Sequence, residues 1–147
     1  MNTEKVANVI AKVFDAKVKT PKQTDPDELQ DYDLIGFGAG IDSGKHYKPM
    51  LDLADKLPQI IDKNAFIFST AALTGDKKRD EDHSILREKL ESKGYVIVDE
   101  FQCKGFNTNS FLKHFGGMNR NRPNAKDLKN AEEFAQKLKQ NMQSSEG

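Results

Sequence analysis

The residue types that carry most enzyme chemistry are sparse in this 147-residue chain. Its three histidines, His46, His83 and His114, are far apart and lack the spacing of metal ligands. His83 follows three acidic residues near a predicted helix start, and we interpret it as a solvated residue. The pattern supports neither a Ser-His-Asp triad nor a catalytic pair of carboxylates. The sequence therefore offers no candidate for nucleophilic or metal-assisted catalysis.

Cys103 is the only cysteine, which excludes an internal disulfide. The neighbouring Lys104 could lower the pKa of its thiol and make it reactive. Because the chain has no CxxC motif and Cys103 has no clear histidine partner, we favour an ordinary free cysteine. A lone cysteine also suits a reducing compartment, so we expect a cytoplasmic protein.

Small and hydroxylated residues are concentrated in two runs, "GFGAGIDSGK" (36–45) and "STAALTGDK" (69–77). Each run follows a predicted buried strand, and glycines let backbone approach a flat ligand closely. The first run lacks the glycine spacing and the Ser or Thr of a phosphate-binding P-loop. Each alone is typical of a flexible loop, but two after consecutive strands favour a nucleotide-like ligand.

Thr3 lies at a predicted helix start, where free backbone N–H groups and the helix dipole suit a phosphate. The alternative is an ordinary helix N-cap formed by Asn2 and Thr3.

Helical and strand patterns alternate along the chain. The predicted helices are 3–14, 47–60, 82–95 and 124–140, and the predicted strands are 16–20, 32–40, 63–73 and 95–101. The third helix carries the apolar residues Ile85, Leu86 and Leu90, with Gly94 as its expected C-cap, and Asn124 is the expected N-cap of the fourth. Because the strands are apolar on both faces, we predict an α/β fold with a parallel sheet covered by helices on both sides. Residues 1–140 form the predicted domain, and 141–147 a flexible tail.

The composition gives no general attraction to nucleic acid or to membranes. Lys plus Arg and Asp plus Glu each total 23, so the formal net charge is zero. No apolar run approaches the ~18 residues of a membrane span. Basic and aromatic residues alternate between Phe111 and Arg122, but the balanced charge favours a packed loop or a docking surface over an RNA contact.

These patterns together resemble the flavodoxin family. Asn2, Thr3, Ala7 and Ile10 match in register the second half of the family's N-terminal phosphate-binding signature, and Met1 stands where that signature has a small residue. The 36–45 run is similar to the loop after the family's third strand. Residues 63–77 are similar to its fourth strand and second flavin-contacting loop. The stretch from Phe101 to Leu128 resembles the end of bacterial and archaeal flavodoxin-like proteins.

The resemblance implies a flavodoxin-like doubly wound sheet whose first strand is absent from this chain. It also implies non-covalently bound FMN and transfer of electrons between redox partner proteins. The implied FMN-binding residues are Asn2, Thr3, Ala39, Gly40, Ile41, Asp42, Ser43, Gly44, Tyr47, Thr70, Ala71, Ala72, Leu73 and Gly75.

The resemblance further suggests which residues would tune the flavin. Only His46 and Tyr47 could stack on the ring from the first loop, and the second loop offers Leu73. Asp42 and Asp76 are the acidic residues expected to lower the reduction potential.

Two other functions remain open at this point. One is an FMN-dependent NAD(P)H:quinone or nitro reductase, with the 103–124 connection shaping a substrate pocket. The other is a truncated relative that no longer holds flavin. A sheet without its first strand would leave backbone groups unpaired, at about 1–3 kcal/mol each. Several such groups would consume most of a domain's stability of ~5–15 kcal/mol, so we expect a monomer of this chain to fold poorly.

Overall fold

The computed structural model describes residues 2–105 and 122–146. The helices in this part are α1 (Asn2–Phe14), α2 (Lys48–Lys56), α3 (Asp76–Ser92) and α4 (Ala125–Glu146), and the strands are β1 (Leu34–Asp42), β2 (Lys45–His46), β3 (Lys63–Ala71) and β4 (Tyr95–Lys104). Two short 3₁₀ segments, Pro21–Gln23 and Pro26–Asp31, connect α1 to β1. Within the same residues, no helix is both long and apolar enough to cross a membrane.

The strands form one sheet in the order β2-β1-β3-β4. β3 is parallel to β1 on one side and to β4 on the other. β2 is antiparallel to β1 and pairs only with its last two residues, Ile41 and Asp42. The predicted parallel sheet is therefore confirmed, with a short hairpin added at the carboxyl end of β1.

Helices cover both faces of the sheet, as predicted. On one face, α2 and α3 bury apolar side chains against β1, β3 and β4; the core members there include Met50, Leu51, Leu53, Leu86, Leu90, Phe37, Ile67 and Tyr95. On the other face, α1 and α4 bury apolar side chains against β3 and β4; the core members there include Val6, Ile10, Ala131, Ala135, Leu138, Phe66, Phe68 and Cys103. The two cores make β3 the most buried strand of the sheet.

Two glycines of β1 leave room for aromatic rings of the neighbouring strand. Gly36 and Gly38 pair with Phe66 and Phe68 of β3. A Cβ atom added at Gly36 would lie 2.3 Å from the Phe66 ring, and one at Gly38 would lie 2.2 Å from the Phe68 ring. The first two glycines of the 36–45 run are therefore needed for packing within the sheet.

Several predicted boundaries are wrong. Residues 16–20 form no strand; the segment is exposed, and no strand among the described residues lies beside it to accept its hydrogen bonds. β1 continues two residues beyond the predicted strand 32–40, to Asp42, so only Ser43 and Gly44 of the 36–45 run lie outside strands. α3 begins at Asp76 rather than at 82; of its three predicted apolar residues, Leu86 and Leu90 are buried and Ile85 is exposed.

The ends of the later elements agree better with the sequence. Gly94 directly follows the C-cap residue of α3, and the Asn124 side chain accepts a hydrogen bond from the Asp127 backbone N–H at 3.0 Å. α4 continues to Glu146, through positions where a frayed end was expected. The division of the chain at residue 140 stays a prediction.

The outer edge of β1 is open between Leu34 and Gly40, where no described strand pairs with it.

Candidate functional site

Three segments meet at the carboxyl edge of the sheet: the first turn of α1, the β1–β2 turn and the loop between β3 and α3. The first turn of α1 contacts the end of β3, just before the loop, through a pair of hydroxyls. The Oγ1 atoms of Thr3 and Thr70 are 2.9 Å apart, although 67 positions separate them in the sequence. Two residues from separate predicted binding segments are thus brought together.

The hydroxyl pair lies in the first turn of α1 and at the end of β3. Thr70 is 5% exposed and Thr3 is half-buried. The first backbone N–H groups of a helix have no partner within the helix and carry its positive dipole end. Two hydroxyls beside such a terminus can bind a phosphate or another small anion.

The β1–β2 turn consists of Ser43 and Gly44, with positive φ angles of 55° and 78°. Positive φ at both central positions is typical of the tight turns that match the twist of a hairpin. Tyr47 follows the hairpin, and its ring lies across Gly40, 3.3 Å from where a Cβ atom would be. The Tyr47 backbone N–H donates to the Gly40 carbonyl at 3.0 Å, which fixes this arrangement.

The loop between β3 and α3 comprises residues 72–75. Leu73 is 60% exposed, and no atom lies within 4 Å of a Cβ added at Gly75, whose φ is 147°. Asp76 at the start of α3 and Asp42 at the end of β1 are both exposed. The loop therefore presents an apolar side chain and open space, with carboxylates at its margin.

His46 points away from this surface. It is 1% exposed, and its Nε2 donates a hydrogen bond to the Phe68 carbonyl at 3.1 Å. Burial, followed by the neighbouring His83, lowers the pKa of His46 to about 4. The prediction that His46 could stack on a ligand is wrong, because its ring is enclosed between β3 and α3.

His83 is also buried, and its interpretation as a solvated residue is wrong. It is 0% exposed, its Nε2 lies 2.7 Å from Ser69 Oγ, and its Nδ1 lies 2.8 Å from Glu100 Oε1. Arg87 binds the same carboxylate with Nε at 2.9 Å and Nη2 at 2.7 Å. Burial raises the pKa of Glu100, but the hydrogen bonds from His83 and Arg87 outweigh it, and the pKa falls to about 2.

Three further side chains complete this buried polar cluster. The Gln102 Nε2 donates to Ser69 Oγ at 3.2 Å and to Asp82 Oδ2 at 2.9 Å. Lys78 donates to Asp82 Oδ1 at 2.6 Å. We call Ser69, Lys78, Asp82, His83, Arg87, Glu100 and Gln102 the polar cluster. A sequence signal for it does exist, since Glu100 and Gln102 are two apart and so share one face of β4.

Cys103 is buried among apolar residues of the α1–α4 face. Burial, followed by the nearby Asp127 carboxylate, raises the pKa of its thiol to about 12. The preference for an ordinary cysteine over a reactive one is therefore supported.

Some predictions lie outside the described residues. Met1, His114 and most of the 103–124 connection fall there, as do the basic and aromatic residues between Phe111 and Arg120. In the described part, no group of three or more His, Cys, Asp or Glu side chains could hold a metal ion.

The chain is similar to known proteins over nearly its whole length. A family model described as a flavodoxin domain matches residues 1–141. An uncharacterized protein of Methanocaldococcus jannaschii is 46% identical over 140 residues, covering 95% of this chain and 91% of the relative. Among solved structures, a flavodoxin from the domain Archaea aligns with a TM-score of 0.69 at 18% identity, covering 97% of this chain and 91% of the other. Oxidised flavodoxin 2 from Bacillus cereus aligns with a TM-score of 0.65 at 19% identity, covering 91% and 87%. At these identities the structural likeness shows the fold alone.

Proposed function

Since the chain belongs to the flavodoxin domain family, which implies a flavin cofactor, we propose that it binds FMN non-covalently and carries electrons between redox partner proteins. The observation that carries this proposal is the Thr3–Thr70 hydroxyl pair at the start of α1, beside two glycine-containing turns. A phosphate site next to open, flat surface is what a mononucleotide requires.

The residues present fit such a ligand. Open space at Gly44 and Gly75 leaves room for a ring, since no atom lies within 4 Å of a Cβ added at either position. Tyr47, lying across Gly40, supplies an aromatic wall on one side, and exposed Leu73 supplies an apolar one on the other loop. With one aromatic and one aliphatic wall, an aromatic side chain would stack on only one face of the ring.

The proposed contacts divide into two groups. Asn2, Thr3 and Thr70 would hold the phosphate through hydroxyl and backbone groups. The ring would lie against 39–44 and Tyr47 on one side and against 71–73 and Gly75 on the other. FMN, when bound, supplies the one- and two-electron redox chemistry.

Asp42 and Asp76 would act on the flavin through their charge. Both are exposed at the margin of the candidate site, and negative charge there opposes the addition of electrons to a nearby ligand. Solvent and salt weaken such an effect at exposed positions, so we expect a modest lowering of the reduction potential.

A comparison of FMN with riboflavin tests the proposal, because riboflavin lacks only the phosphate. We expect the purified protein to bind FMN and Thr70→Val to weaken that binding on the order of tenfold, the equivalent of about 1.4 kcal/mol. Riboflavin binding should change little. Quenching of flavin fluorescence measures both affinities, and Thr24→Val, between the two 3₁₀ segments, is the matched control. Absence of FMN binding, or equal losses for both ligands, would contradict the proposal.

The reductase alternative depends on the 103–124 connection, most of which lies outside the described residues. It stays a prediction from the sequence. Oxidation of NADPH by the purified flavin-loaded protein, without an added reductase, would favour it.

A further inference from the structure

The polar cluster ties three elements together directly below the loop formed by residues 72–75. Ser69 lies near the end of β3, His83 in α3 and Glu100 in β4, and they form one hydrogen-bonded chain. Gln102 of β4 adds a second connection, to Ser69 and to Asp82 of α3. The loop is therefore bounded at both ends by elements that the same cluster joins.

The acceptors of the cluster fix several of its hydrogen-bond directions. The Asp82 carboxylate can only accept, so Gln102 must present its Nε2 to it. The other N–H of that amide is donated to Ser69 Oγ, which is also hydrogen-bonded to His83 Nε2. His83 Nδ1 donates to Glu100, whose carboxylate can only accept. These bonds hold the side chains of three elements in one arrangement.

The charges of the cluster are also matched. Arg87 neutralises Glu100, and Lys78 neutralises Asp82. His83 adds directional hydrogen bonds to these two ion pairs, through Nδ1 to Glu100 and through Nε2 to Ser69.

The connectivity Ser69–His83–Glu100 is that of a serine hydrolase, but the environment excludes that chemistry. Ser69 and His83 are both 0% exposed, so no substrate can reach the hydroxyl oxygen. The arrangement can hold elements in place but cannot attack a bond.

His83 also contacts the other side of the candidate site. Its ring centroid lies 5.0 Å from that of His46, at an interplanar angle of 49°. His46 is the last residue of β2, and the hairpin has only two paired positions. A hairpin this short is marginal without tertiary contacts, so the buried His46 ring anchors it.

We propose that His83 is a positioning residue for the candidate flavin site: through Ser69 it fixes the ends of loop 72–75, and through His46 it holds the β1–β2 hairpin. Pre-formed loops lose less entropy when a ligand binds, so this positioning would favour flavin binding. That consequence rests on the proposed function. The positioning itself is a property of the ligand-free protein.

Two substitutions distinguish the contact of His83 with Ser69 from its contact with His46. Ser69→Ala removes the hydroxyl while leaving the His83–His46 ring contact, so we expect faster amide hydrogen exchange in residues 72–78 alone. His83→Ala removes both contacts, so exchange in 72–78 and in 43–46 should accelerate together, each on the order of tenfold, the equivalent of about 1.4 kcal/mol. If His83→Ala does not fold, His83→Phe keeps a ring against His46 and should accelerate only 72–78.

Leu90→Ala is the matched control for stability. Leu90 is fully buried on the same helix but belongs to the apolar core and not to the polar cluster. It should lower the melting temperature without accelerating local exchange in either segment. The proposal would be overturned if Leu90→Ala accelerated amide exchange in these segments as much as the cluster substitutions do. It would also be overturned if residues 72–78 exchanged at the normal rate both in Ser69→Ala and in the His83 variant that folds.

Flavin binding gives a second measurement. Ser69→Ala should weaken riboflavin binding on the order of tenfold while leaving the ratio of FMN to riboflavin affinity unchanged, because the phosphate contacts are intact. If the unmodified protein binds neither flavin, the proposed function fails, and the exchange rates of the ligand-free protein still decide the positioning role. If flavin binds but Ser69→Ala alters neither exchange nor affinity, only the positioning role fails.

Discussion

His46 remains uncharged inside the protein because its ring is enclosed between β3 and α3. Its Nε2–H is donated to the Phe68 carbonyl, while no described residue is hydrogen-bonded to Nδ1. A proton added at Nδ1 would create a charge in a site with little water. The stability of the β1–β2 hairpin therefore depends on the protonation of this one side chain, and so on pH.

We predict that the protein loses stability as the pH falls from about 6.5 to 4. The pKa of His46 is lowered from 6.5 to about 4 in the folded protein, so the unfolded chain binds more protons across this interval. The loss is on the order of 3 kcal/mol at 1.36 kcal/mol per pKa unit. Urea unfolding at a series of pH values measures it. His46→Leu should flatten the dependence between pH 6.5 and 4.5, above the range in which Glu100 titrates, and an unchanged slope would contradict this assignment.

We predict that Cys103 of the native protein resists alkylation. Burial raises its thiol pKa to about 12, so almost no thiolate forms at pH 8. Iodoacetamide labelling followed by mass spectrometry should show little modification of native protein and rapid modification in urea. Complete labelling of the native protein at the rate of an unfolded thiol would show that the site is accessible.

At the scale of single elements, local sequence patterns predicted two kinds of element: helices, which make their own backbone hydrogen bonds, and strands that lie wholly in the core. α2 lies within the predicted helix 47–60 and buries Met50, Leu51, Leu53 and Ala54, and α4 begins after its predicted cap Asn124. The 16–20 segment was predicted wrongly because a strand requires a neighbour, which no local pattern reveals. The 36–45 run was interpreted as a glycine-rich ligand-binding loop after a strand, whereas two of its glycines lie within β1 and accommodate rings of β3.

We predict that Gly38→Ala destabilises the protein by about 1–3 kcal/mol, the usual cost of overpacking a core. The new Cβ would lie 2.2 Å from the Phe68 ring, which is 6% exposed and has little room to move. Urea unfolding measures the change. The double variant Gly38→Ala/Phe68→Leu should be less unstable than the sum of the two single variants, and simple additivity would argue against a direct clash.

At the scale of the whole molecule, the strands of the sheet differ in how far neighbouring strands and helices shield them from solvent. β3 is paired on both sides and covered on both faces, whereas β1 has an open outer edge from Leu34 to Gly40 among the described residues. The Gly40 carbonyl faces that edge, because it accepts from Tyr47. Since alternate residues of a strand direct their backbone groups to the same edge, Gly36 and Gly38 face it too.

We predict that the Gly36 and Gly38 amides exchange with solvent much faster than those of Ile67 and Phe68 in β3. The β1 amides have no strand to donate to at the outer edge, while those of β3 lie inside the sheet. Hydrogen exchange followed by NMR resolves the individual residues. Equal protection in the two strands would mean that another segment covers this edge. The expectation that a monomer folds poorly stays a prediction, and thermal unfolding of the monomer tests it.

The sequence by itself determined the α/β class, the parallel core strands and the two segments of the candidate site, because apolar periodicity and turn chemistry are local properties. It also carried the family resemblance, through residues such as Asn2 and Thr3. Only the tertiary structure decided that Thr3 meets Thr70, that His46 is buried while Tyr47 packs on Gly40, and that His83 is buried with Ser69 and Glu100. Those contacts join residues from different elements, and only the packing of α1 and α3 against the sheet determines which of their side chains face one another.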